Sequence, residues 1–196
     1  SVPVAFERDA RDNKLDPTEG YWATISAKPS YEFFNGNVFS SFEGSLSGYL
    51  GLGAEDNIVL AGKVSAGTLI GAEDLADIPV TRRFFAGGGG SVRGYAFREI
   101  SPYNDAEEAL GGRSYALASF EVRTKITENI GLVPFIDVGT VSTEIVPDFS
   151  DIRAGAGIGI RYATPFGPLR LDVAVPLRKY DGGSDYGIYA GIGQSF

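Results

Sequence analysis

The chain contains no cysteine, no histidine and no methionine. Without cysteine there is no disulfide framework, no thiolate metal site and no thiol nucleophile. Without histidine the commonest general base and metal ligand is missing. No enzymatic activity, no cofactor and no bound metal are therefore expected. Positive charge is also scarce, with 17 Lys and Arg against 25 Asp and Glu and a formal net charge of -8. Such a balance argues against nucleic acid as a partner. No apolar run reaches the 18 or so residues of a transmembrane helix. The first residue is Ser, so the expectation is a chain whose export signal has already been removed.

Glycine and aromatic residues are plentiful: 27 Gly, 13 Phe and 10 Tyr in 196 residues. Apolar residues are interleaved with polar ones rather than massed, as in membrane strands. The period is two in eight segments of roughly the length a tilted membrane strand needs. They cover residues 21–28, 38–50, 58–68, 114–123, 130–140, 153–162, 169–175 and 186–196. In the first three, Ile25, Leu46 and Val64 share the apolar face, with Thr24, Ser45 and Lys63 opposite. Later, Phe120, Ile136, Ile158 and Val173 face one way and Glu121, Asp137, Gly157 and Asp172 the other. Short turns at 127–129 and 164–167 alternate with longer polar loops at 142–150 and 178–185, a feature of outer-membrane barrels. The polar face carries Gly, Ser and isolated charges, which suits a narrow lumen better than bulk water. The expected fold is thus all-β, an antiparallel transmembrane β-barrel with eight strands per chain over residues 21–196. Residues 1–20, with an extra strand at 2–8 as the alternative, are expected to be a periplasmic segment, because bacterial barrels carry even strand numbers. Tyr21, Trp22, Tyr162, Phe166 and Tyr186 sit near strand ends and read as interface aromatics.

A long loop, 69–112, interrupts the strands, and in it four glycines precede Ser91 and then Val92-Arg93-Gly94-Tyr95. Glycine lets backbone pack where side chains do not fit. A guanidinium held in such a place calls for carboxylates in fork geometry. Alternation puts two of them, Glu121 and Asp137, on the lumen face. An acid–base role for that pair needs one raised pKa, which a neighbouring arginine opposes. The acids Asp105, Glu107 and Glu108 read as a solvated loop rather than a cation site. The glycine run lacks the Lys-Ser/Thr ending of a phosphate cradle.

Val92-Arg93-Gly94-Tyr95 after a glycine run resembles the loop motif of the Omp85 superfamily, the bacterial surface antigen barrels. Phe135-Ile136-Asp137-Val138-Gly139 resembles the family's F-x-D-x-G strand motif, with Phe135, Asp137 and Gly139 at the matching positions. Residues 157–162 and 164–172 resemble its next two strands, and residues 9–21 a turn between earlier ones. The resemblance implies that the loop folds back into the barrel, with Arg93 against Asp137 and Glu121. It implies an integral outer-membrane protein that assists insertion or translocation of proteins there, with client outer-membrane proteins and lipid as partners. Ile188, Ala190, Ile192 and Phe196 lie on one face and resemble the C-terminal signal through which the barrel-assembly machinery recognises its substrates.

Family members usually carry sixteen strands and periplasmic POTRA modules, so this chain corresponds to the C-terminal half of such a barrel or to a short member lacking POTRA modules. An eight-stranded barrel is filled by its own side chains. The loop then lies over the extracellular mouth, dips only its tip inside, or occupies a wider barrel made by two chains pairing as a homodimer. The alternative functions are a barrel anchor or exporter for a fused passenger domain, and a small dimeric pore or lipid-interacting barrel without insertase activity.

Overall fold

The computed structural model describes residues 1–32, 36–53 and 56–196. Nine strands form one antiparallel sheet in chain order. They are β1 Val4–Asp9, β2 Gly20–Tyr31, β3 Val38–Leu52, β4 Ile58–Ile70 and β5 Ser114–Lys125. β6 is Ile130–Ser142, β7 Arg153–Tyr162, β8 Leu169–Pro176 and β9 Gly187–Ile192. The eight-strand expectation is corrected to nine. β1 pairs with β2 over six residues, from Val4 against Ala27 to Asp9 against Trp22. Among the described residues β1 has no second strand neighbour, nor has β9, so the sheet is not closed.

Alternation decides the two faces. Ile25, Leu46, Val64, Phe120, Ile136, Ile158 and Val173 are exposed on the outer face. Ser47, Glu121, Asp137 and Asp172 are almost wholly buried on the inner one. Large apolar side chains outside and charges inside invert the pattern of a water-soluble domain. Register extends the pattern across strands, so Leu46, Val64, Ala118 and Val138 form one outer row. Trp22 departs from its expected place at the interface. It lies on the inner face, where its indole Nε1 donates to Glu7 at 2.8 Å and the Arg11 guanidinium sits 4.5 Å from its ring centroid.

The segment from 71 to 113 joins β4 to β5. It enters through two short 3-10 turns, Leu75–Asp77 and Val80–Arg82. It then runs as a narrow ribbon, with Phe84 bridged to Gly112 and Ala86 to Ile100. Its base packs Ile78 on Phe39 and Leu69. Nearer the tip, Ala86, Val92, Tyr95 and Ile100 form a cluster against Leu117, Val141 and Tyr180. The tip therefore lies against the inner face of the sheet. An open nine-stranded sheet has room for it, which removes the conflict set by a closed eight-stranded barrel.

At the opposite end of the strands, the turn from 10 to 19 reaches across to the last residues. Leu15 O accepts the Gln194 amide at 2.9 Å, and Asp16 Oδ1 accepts Gln194 Nε2 at 2.8 Å. The expectation for Phe196 is corrected here. Ile188 and Ile192 remain outside, but Gly193 adopts φ +85 and breaks the alternation. Phe196 turns inward and packs on Tyr49, Val59 and Ala61.

Candidate functional site

Arg93 is held at the tip of the ribbon, and only 2% of it is exposed. Its Nε donates to Asp137 Oδ2 at 2.7 Å and its Nη2 to Asp137 Oδ1 at 2.9 Å, a two-pronged fork. The backbone amide of Arg93 adds a third bond to Asp137 Oδ2 at 3.1 Å. Nη1 donates to Glu121 Oε1 at 2.9 Å and to Asp172 Oδ2 at 3.0 Å. Beneath the guanidinium lies the Phe135 ring, 3.4 Å from Cζ to the ring centroid. One side chain thus ties the loop to β5, β6 and β8.

Each acid is shared or fully used. Glu121 Oε2 accepts from Arg123 Nε at 3.0 Å. Asp172 Oδ1 accepts from Arg161 Nη1, and Arg170 Nε lies 3.8 Å from Asp172 Oδ2. All six oxygens of the three carboxylates therefore receive a guanidinium proton. The burial of the three carboxylates and of Arg93 is compensated by partners in good geometry, the condition under which buried ion pairs persist. Burial alone disfavours the charged form of Arg93, but Asp137, Glu121 and Asp172 outweigh it and raise its pKa above the ordinary arginine value. A site built this way holds the loop tip against the sheet.

The backbone is fitted to the same task. Gly94 has φ +101, and a Cβ there would lie 2.7 Å from the Val175 carbonyl carbon. A Cβ at Gly155 would collide with the carbonyl oxygen of Arg93. These two glycines let the tip lie directly on β7 and β8. The Gly94 amide donates to Tyr189 Oη at 3.0 Å, and Tyr189 Oη donates to Tyr95 O at 3.2 Å. Tyr95 Oη donates to Arg178 O at 2.7 Å. Val92 is fully buried beside Gly139, where a Cβ would lie 2.9 Å from Val92 Cγ2.

The structure thus brings Val92, Arg93, Gly94 and Tyr95 together with Phe135, Asp137, Gly139 and Glu121. Phe196 lies with Ser195 beside the same interior space, which also borders Arg93 and Lys63. Ile188, Ala190 and Ile192 belong to the other face of the sheet. Sequence reasoning placed Asp172 on the inner face but missed it as a partner of Arg93; its alternation with Leu171 and Val173 was the available signal. Tyr189 was missed as well. Asp105, Glu107 and Glu108 stay in the ribbon's outer turn, where Glu108 accepts from Asn104 Nδ2 at 3.0 Å.

Comparison with known proteins places this geometry. The Omp85 superfamily domain matches residues 1–196. The chain is 29% identical over 184 residues to the outer membrane protein assembly factor BamA of Nitratidesulfovibrio vulgaris, covering 89% of this chain and 22% of that protein. It is 30% identical over 177 residues to BamA of Neorickettsia risticii, covering 85% of this chain and 23% of that protein. The crystal structure of BamA from Haemophilus ducreyi lacking POTRA domains 1-3 superimposes with a TM-score of 0.78 at 25% identity. That match covers 95% of this chain and 41% of the solved one. The chain spans about a quarter of the length of the curated relatives it matches.

Proposed function

The chain belongs to the Omp85 superfamily, is an integral outer-membrane protein, and on that premise we propose that it serves the insertion or translocation of proteins at the outer membrane. The observation that carries this reading is the loop tip clamped inside the sheet by Arg93, with Asp137, Glu121 and Asp172 around it. Four strands and the loop are thereby locked into one body, because Tyr189 on β9 holds the same tip. A rigid inner wall of this kind supports β9, which among the described residues has β8 as its one strand neighbour. An unpaired edge is a template for an incoming strand, since its amides and carbonyls seek partners. In lipid that drive is stronger, because no water competes for those groups. The clients are accordingly unfolded outer-membrane strands, and the assembly machinery is the expected partner. An anchor or a pore lacks a comparable observation in its favour, and the interior arginine cluster obstructs a pore.

Reconstituted liposomes test the proposal. An unfolded client barrel is expected to fold faster into liposomes carrying the protein than into empty ones, and Arg93→Ala is expected to remove the gain. Equal folding rates with and without the correctly folded parent protein would overturn it.

A further inference from the structure

The outer face carries a groove of about 520 Å³ across β2 to β6. Its floor is a cross-strand pair of glycines, Gly48 opposite Gly62. Its walls are Tyr21, Leu46, Phe120 and Ile136, all apolar or aromatic. Glycine inside a strand is less stable than alanine there, so two facing ones need a reason. The packing of this chain supplies none. A Cβ at Gly48 would meet nothing within 4 Å, and one at Gly62 only the Ser119 carbonyl oxygen at 4.0 Å. A strand glycine with open space above it marks a place where something else approaches closely.

The mouth of the groove names the chemistry. Arg8 is exposed on β1, paired in register with Ala23 of the outer face. Its guanidinium lies 5.9 Å from the centroid of the Tyr21 ring. Among the described residues it has no carboxylate partner. An unpaired arginine beside an interface tyrosine, at the end of an apolar channel, matches an anionic headgroup followed by a chain. We propose that this groove is a binding site for one anionic diacyl phospholipid. The phosphate pairs with Arg8, and one acyl chain lies over Gly48 and Gly62 between Tyr21 and Phe120. The site stands apart from the Arg93 cluster and does not depend on the protein-assembly reading.

Native mass spectrometry of the protein in detergent, with phosphatidylglycerol or phosphatidylcholine added, reads the site. One phosphatidylglycerol is expected to remain bound. The double variant Gly48→Leu/Gly62→Leu, which fills the groove, is expected to weaken retention about tenfold. Arg8→Gln is expected to abolish the preference for phosphatidylglycerol over phosphatidylcholine. Heat-modifiable gel migration identifies folded variants, and Tyr21→Ala, which removes a wall, replaces the double variant if that one does not fold. Retention in the filled variant equal to the parent's, an unchanged preference in Arg8→Gln, or loosely held annular lipid without a defined stoichiometry each overturns the proposal.

Discussion

Asp137 receives three bonds from one residue, two from the Arg93 guanidinium and one from its backbone amide. A lysine at position 93 keeps the charge but not the fork, and its ammonium cannot span Asp137, Glu121 and Asp172 together. Removing one partner from a buried pair costs about 3–5 kcal/mol. Arg93→Lys is therefore expected to behave much like Arg93→Ala, with less heat-modifiable folded protein and a loop open to protease. A lysine variant as protected as the parent would show that charge alone suffices. At this scale the sequence was partly legible. Period two assigned Glu121, Asp137 and Asp172 to the interior, because each alternates with large apolar neighbours. It did not reveal that a single guanidinium reaches the third acid, which depends on how the sheet curves from β6 to β8. Phe196 was misplaced for a local reason: the φ of +85 at Gly193 ends the alternation that the reading extended to the last residue.

The ribbon between β4 and β5 depends on contact with β7 as much as on its own bridges. Gly155 is the closest point, so Gly155→Val is expected to expel the tip while leaving β7 paired. Limited proteolysis reads the outcome as cleavage within 87–99 of a protein that still migrates as folded; an uncut loop would place the tip's support elsewhere. The turn between β1 and β2 is a second element with its own logic. Asp12 Oδ1 accepts the Thr18 and Glu19 amides at 2.9 and 3.1 Å, and Thr18 Oγ1 donates to Asp12 Oδ2 at 2.9 Å. Partial burial pushes the Asp12 carboxyl up, but these donors outweigh it and hold it below its usual range. A carboxyl depressed in the folded state contributes stability above its unfolded pKa and loses it as the pH falls through the folded value. Hydrogen exchange of the Thr18 and Glu19 amides is thus expected to be protected at neutral pH and to lose protection only as the pH falls below the ordinary carboxylate range. In Asp12→Ala that protection is expected to be absent at either pH, and pH-independent protection in the parent would refute the assignment. The turn was not visible beforehand, since Asp12 is joined to Thr18 and Glu19 mainly through their backbone amides.

For the whole molecule, composition and alternation were enough to identify membrane strands and their two faces, because lipid and interior demand opposite side chains. Each of the eight expected strands is present in the sheet, with ends shifted by a few residues. Strand number was the failure. A preference for even counts displaced the alternation that sets Val4 and Phe6 on one face and Glu7 and Asp9 on the other. Counting strands requires knowing what lies beside the first and last of them, and that is a property of the surroundings.

Nine is an odd number, and it fixes direction as well as count. In an antiparallel meander each strand reverses the one before, so β1 and β9 point the same way. Any assembly that covers both edges with antiparallel hydrogen bonds must itself contribute an odd number of strands. Over residues 1–196, β1 and β9 thus present edges of one direction, and a strand that pairs antiparallel with either of them runs the opposite way.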